Sequence, residues 1–210
     1  MKYKQQLAQL NTKHSTLIPN IISANLCAHA IQELESTSED SKIESLCQKH
    51  IEQFAEQIFL PEINEFLYSY FAEGFEWKWP SFDIVDDTAL ETYYSTTWHC
   101  DGCPDKALKL FLYLNPVSEH GCNTLMIDPA RTKALRKAGA LPLELDKRFT
   151  DVSHFLQQAG LSTEATSNAL TAGDILIFSP GLLAHRCLPP KPGKKRYTIS
   201  YTIYPQSFFG

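Results

Sequence analysis

The hydrophobic pattern changes period at Phe75, and that change constrains the fold more than any single motif. Before it, apolar residues recur at spacings of three and four: Ile43, Leu46, Cys47, Ile51, Phe54, Ile58. That spacing predicts helices over residues 17–34 and 43–71. Ser41 or Asp40 is placed to cap the second, Pro61 fits the first turn of a following helix, and Gly74 fits its end. After Phe75, short runs rich in aromatic and β-branched residues take over, at 75–80, 82–87, 91–99, 107–114, 123–128, 174–179, 183–187 and 195–204. These read as strands. Residues 129–172 turn polar and helix-like again, as an insertion between strands. Helices first and many short strands afterwards predict an α+β domain with an antiparallel sandwich or barrel. The reading is one domain over 1–210, with helical support at 1–74 and a β core at 75–204 holding the insertion 129–172.

Two strands show which face is which. Strands alternate their faces with period two. In 195–204, Arg196, Thr198 and Ser200 share one face, while Lys195, Tyr197, Ile199, Tyr201 and Ile203 share the other. In the strand over 107–114, Leu108, Leu110, Leu112 and Leu114 form one face, and Lys109, Phe111 and Tyr113 the opposite one. The polar faces are expected to line the barrel interior, which nominates Tyr94, Lys109 and Phe111 as pocket residues.

Charge and cysteine usage narrow the partners. Nineteen basic against 24 acidic residues leave −5. Nucleic acid as the main partner is therefore disfavoured, because phosphate neutralisation needs a basic surplus. No apolar run approaches the ~18 residues of a membrane span. The opening MKYKQQLAQLNTKH lacks the apolar core of a secretory signal. A cytoplasmic protein with six reduced, mostly buried thiols is expected. Cys100 and Cys103 have CxxC spacing, but no second pair follows at zinc-finger spacing. The sequence carries nothing on oligomeric state.

One constellation carries chemistry. His99 and Asp101 are two apart at a predicted strand end, so an imidazole and a carboxylate point the same way. His185, after the run GDILIFSPGLLA, is the best third ligand. Two His and one carboxylate on one face of an octahedron leave three positions open, as in the facial triad of non-haem Fe(II) oxygenases. Eleven residues later, Arg196 and Thr198 offer a guanidinium fork and a hydroxyl on one face. That pair suits the distal carboxylate of 2-oxoglutarate.

These residues carry a resemblance. His99-Cys100-Asp101, His185 and Arg196 match the HxD…H…R pattern of Fe(II)/2-oxoglutarate dioxygenases. The stretches LKLFLYLNPVSEHGCNTLMIDPA and GDILIFSPGLLAH look most like the phytanoyl-CoA dioxygenase-type branch, and the resemblance covers residues 91–204. It implies a double-stranded β-helix (a jelly roll, cupin-like) with iron near one mouth and the N-terminal helices as support. It implies Fe(II) on His99, Asp101 and His185, 2-oxoglutarate on Arg196 with Thr198 as helper and Lys109 and Tyr94 as further cofactor-binding residues, and O2 as oxidant. No catalytic side chain is implied beyond the metal ligands. The activity so implied is hydroxylation of a small-molecule metabolite with release of succinate and CO2. Prolyl-hydroxylase-type enzymes place the basic residue one position earlier, at Lys195, which strand alternation puts on the apolar face. A protein hydroxylase of that type and a metal-binding cupin-like barrel without oxidative activity are the alternatives.

Overall fold

The computed structural model describes residues 2–88 and 94–208, with Tyr94 described by its backbone alone. Four helices, α1 (Lys4–Lys13), α2 (Ala24–Glu35), α3 (Asp40–Ile58) and α4 (Pro61–Phe71), lie in the N-terminal third. The strands are β1 (Ser15–Ile18), β2 (Phe75–Val85), β3 (Leu108–Tyr113), β4 (Thr124–Ile127), β5 (Ile175–Phe178), β6 (Ala184–Cys187) and β7 (Arg196–Pro205). They form a five-stranded antiparallel sheet in the order β1-β5-β3-β7-β2 and a two-stranded sheet, β4-β6. The α+β class and the antiparallel pairing are as expected.

The alternation in β3 and β7 decides how the layers stack. Leu108, Leu110, Leu112, Ile175, Ile177, Ile199 and Ile203 are fully buried in one cluster with Phe54, Ile58, Phe66 and Leu67 of α3 and α4. Each such side chain contributes roughly 1.5–3 kcal/mol on burial. The Tyr201 hydroxyl crosses the layer and donates to the Ile51 carbonyl at 2.7 Å. The other face of the large sheet meets β4-β6 through Tyr113, Met126, Leu176, Phe178 and Leu183. There the Tyr113 hydroxyl pairs with Thr124 Oγ1 at 2.8 Å.

The helix ends follow local chemistry, with two differences from expectation. Ser23 caps α2 by accepting from the Leu26 amide, and Pro61 occupies the first turn of α4. Glu39 takes the cap position of α3, and Asp40 sits in its first turn, where the dipole favours a carboxylate. Helix α4 ends at Ala72 in the left-handed region (φ 59°), two residues before Gly74.

Two segments differ more. The region read as helical support contains β1, whose four residues are too few to show a period. Its pairing with β5, Thr16 opposite Ile177 and Ile18 opposite Ile175, covers an otherwise open sheet edge. Of the predicted strand over 91–99, the described part, 94–99, is not a strand. Residues 91–93 lie outside the described residues, Tyr94–Thr96 form a 3-10 turn, and His99 joins a strand by a single bridge to His185. The insertion 129–172 carries helices Pro129–Lys137 and Ser153–Gln158, packed as Leu135, Val152 and Leu156 against Trp98, Ile127 and Ala184.

Gly173 ties the N-terminal segment to β5. Its φ is +89°, and a Cβ there would lie 1.9 Å from the Ile22 carbonyl oxygen. Its own carbonyl accepts from the Ile21 and Ile22 amides at 3.0 and 3.2 Å. The neighbouring Asp174 carboxylate accepts from the Asn20 and Thr171 amides at 3.0 and 2.8 Å. All six cysteines are free, and Cys27, Cys122 and Cys187 are buried; the other three are half-buried, a lower share of buried thiols than expected. No helix among the described residues is long and apolar enough to cross a membrane.

Candidate functional site

His99 and His185 meet because main chain pairs with main chain. The His99 amide donates to the His185 carbonyl at 3.1 Å, and the His185 amide donates back at 2.8 Å. Asp101 follows, its amide held by the Pro180 carbonyl at 3.0 Å. The two imidazole centroids are 4.3 Å apart.

Each ring is oriented by the carbonyl two residues before it. His99 Nδ1 lies 2.8 Å from the Thr97 carbonyl, and His185 Nδ1 lies 2.9 Å from that of Leu183. A carbonyl only accepts, so both Nδ1 atoms carry the proton and both Nε2 atoms present a lone pair. Those Nε2 atoms lie 3.6 and 3.7 Å from the same Asp101 oxygen, Oδ1. The other carboxylate oxygen, Oδ2, accepts from Lys109 Nζ at 3.1 Å. His99, Asp101 and His185 form a cluster whose ligand atoms all lie within 4.8 Å of one another.

The electrostatics suit a cation. Burial drives both imidazoles well below their ordinary value; for His185 the neighbouring His99 adds to the effect, and for His99 the Thr97 carbonyl and Asp101 offset only part of it. Both rings are therefore neutral at pH 7, the form that binds metal. Burial alone would raise the Asp101 carboxyl. His185, Lys109 and His99 reverse that and hold it below its ordinary value. Two neutral nitrogens and one carboxylate oxygen are the donor set suited to a divalent first-row metal with positions left open.

The triad opens into a cavity of about 100 Å³ lined by His99, His185, Lys109, Phe111, Arg196 and Ser200. Arg196 is 2% exposed. Thr198 stands between Arg196 and Ser200 on the same face, and its buried hydroxyl has no hydrogen-bond partner among the described residues. Phe178 packs edge-on against His185 at 5.0 Å and closes the apolar side. Lys195 is on the helix side, exposed, in a cleft with Leu34, Glu35, Ile43 and Tyr197.

The structure thus brings together His99, Asp101, His185, Lys109, Phe111 and Arg196. Lys109, expected as a pocket residue, has its ammonium committed to Asp101. The Tyr94 side chain lies outside the described residues. Sequence reasoning missed Ser81, Asp83, Thr124 and Cys187, which also line the cavity. The alternation Ser81-Phe82-Asp83-Ile84 carried the signal for the first two, since Ser81 and Asp83 pair with Ser200 and Thr198. Ser81 Oγ and Ser200 Oγ lie 2.8 Å apart.

No protein-family model matches the sequence, and no curated protein does. Solved structures do match. Apo HygX from Streptomyces hygroscopicus has a TM-score of 0.60 at 14% identity, covering 97% of this chain and 86% of its own. HygX has also been solved with nickel and 2-oxoglutarate bound. The nickel complex of ThoJ, a non-heme monooxygenase, has a TM-score of 0.61 at 11% identity, covering 95% of this chain and 77% of its own. A Pseudomonas putida prolyl-4-hydroxylase has a TM-score of 0.53 at 16% identity, covering 96% and 94%. Nothing among these singles out the phytanoyl-CoA dioxygenase-type branch. At such identities the likeness is one of fold, and it extends over nearly the whole of this chain.

Proposed function

We propose that this protein is an Fe(II)- and 2-oxoglutarate-dependent oxygenase acting on a small molecule. The whole chain is read as one domain, its two antiparallel sheets as the walls of a jelly roll. One observation carries the reading. Two neutral imidazole nitrogens and one carboxylate oxygen converge at a cavity that a buried arginine also lines. Neighbouring folds solved with nickel and 2-oxoglutarate bound, or with iron bound, support it.

The residues fit both groups. His99 Nε2, His185 Nε2 and Asp101 Oδ1 would hold the metal. Arg196 would take the distal carboxylate of the keto acid through its fork, and the orphaned Thr198 hydroxyl would gain the partner it lacks. With metal, keto acid and O2 bound, such a centre couples decarboxylation to succinate and CO2 with insertion of oxygen into a substrate C–H bond. Lys109 keeps Asp101 turned so that a single oxygen faces the histidines. Phe111 and Phe178, 5.5 Å apart, exclude water from the side of the cavity beside His185.

The test is anaerobic addition of Fe(II) and 2-oxoglutarate. A weak visible charge-transfer band, followed by succinate release on admitting O2, is expected. A band without succinate would make the chain a metal-binding barrel. Absence of stoichiometric metal binding would remove the reading altogether.

A further inference from the structure

Strand β2 carries two tryptophans two residues apart, which a regular strand would turn to the same side. Trp77, opposite Ile203, faces the helices and stacks on Phe59 with centroids 5.9 Å apart. Trp79 does not follow it. The register with β7 breaks between Lys78 and Ser81, and Trp79 sits in that bulge at φ +46°. Its indole meets Tyr204 edge-on at 5.4 Å, on the opposite face of the sheet, and remains 67% exposed. Tyr204 in turn stacks on Phe208 at 5.2 Å with planes 20° apart.

A bulky side chain at positive φ is strained, and strain of this kind persists where the surrounding structure imposes it, often at binding sites. Here it moves an indole from the covered face to the face of the candidate metal site. Tyr204 and Thr202 share that face with Ser200 and Arg196, and Thr202 pairs with Lys109, whose ammonium holds Asp101. Tyr204 is four positions along the strand from Ser200, about 13 Å at ~3.3 Å per residue. The nearest charges on β2, Glu76 and Lys78, neutralise each other at 2.7 Å.

We infer that Trp79, Tyr204 and Phe208 form a shelf at the mouth of the site that binds an uncharged planar aromatic group of the substrate, remote from the carbon that reacts. The inference rests on the oxygenase reading and names its substrate class. Binding energy gained at such a distance positions the reacting C–H bond. An exposed, uncharged indole face offers stacking and no charge recognition.

The test uses 2-naphthylmethanol and its fully saturated decahydro counterpart as probes, titrated calorimetrically into the intact chain with Fe(II) and 2-oxoglutarate under nitrogen. The naphthyl probe is expected to bind, and the saturated one to bind at least fivefold more weakly. Trp79→Leu, which keeps apolar bulk but loses the flat face, should weaken naphthyl binding about 5- to 10-fold. Trp79→Phe should restore most of it, with unchanged melting temperatures confirming the fold of both variants. Equal binding of the two probes, or wild-type affinity in Trp79→Leu, would overturn the shelf. So would binding of a Trp-containing tripeptide with no binding of the free probe. Trp79-dependent probe binding without succinate formation in air would instead retain the shelf and remove the oxygenase reading.

Discussion

His99 and His185 exchange both backbone hydrogen bonds of one antiparallel bridge, at 3.1 and 2.8 Å. Their rings are thus placed by main chain, and each is then oriented by the carbonyl two residues before it. A side-chain substitution in the triad removes a donor without removing what holds the site open.

His185→Ala is accordingly expected to lower Fe(II) affinity by about 100-fold or more, since loss of mere outer-shell partners already costs 10–100-fold. The far-ultraviolet spectrum and melting temperature should stay close to wild type. Anaerobic equilibrium dialysis reads the affinity; unchanged iron stoichiometry would remove His185 from the site.

Arg196→Ala should raise the apparent constant for 2-oxoglutarate by the equivalent of about 2–5 kcal/mol, because a carboxylate left in a buried cavity loses its charged partner. Lys195→Ala, on the exposed helix side, should leave it unchanged. Succinate kinetics decide between them, and the reverse ranking would favour the prolyl-hydroxylase-type register.

Lys109→Met should free Asp101 Oδ2 and weaken metal binding by about 10- to 100-fold, the usual effect of losing a partner to a ligand. Lys109→Arg should recover most of the affinity. Visible spectra of the Co(II) form separate this positioning role from general destabilisation, because the altered carboxylate changes the ligand field in protein that is still folded.

His120 provides a pH prediction away from the metal ligands. Burial lowers its imidazole to about 4 from an ordinary 6.5. The folded state holds it neutral while the unfolded chain takes up a proton near 6.5. Stability is therefore intact above that value and is lost as pH falls toward 4. At pH 5 the loss relative to pH 7.5 is about 2 kcal/mol. Urea unfolding of His120→Gln should lack this part of the pH dependence.

Gly173→Ala should destabilise strongly, because both the φ of +89° and the Ile22 carbonyl at 1.9 Å oppose a methyl group. A loss of at least 2–3 kcal/mol in urea unfolding is expected, beyond the ~1 kcal/mol typical of point mutations.

Much of this was legible in the sequence because period decides face. The leucines of β3 and the isoleucines of β7 went to the helices, and Arg196 and Ser200 went to the cavity. His99, Asp101 and His185 were legible as chemistry, although His99 reaches β6 by a bridge and not by a strand. What stayed hidden depends on distant partners. Strand β1 is too short to declare itself and exists through its pairing with β5. Trp79 breaks its own alternation, which no local pattern announces. Lys109 lines the cavity as its strand face predicts, and only its 3.1 Å approach to Asp101 reveals that it also holds that carboxylate.

The strand order β1-β5-β3-β7-β2 has no two neighbours that are consecutive in the chain. During synthesis, β1, β2 and β3 leave the ribosome with none of their sheet partners yet made. Strand β3 lies between β5 and β7, so the centre of the sheet closes only when β7 is available. Arg196 opens that same strand. A nascent chain stopped before it would hold His99, Asp101 and His185 without the frame that gathers them. Closure of the sheet thus waits for β7, and it is slow by virtue of its distant pairings. The three residues of the candidate metal site and the arginine beside it are gathered together with the fold.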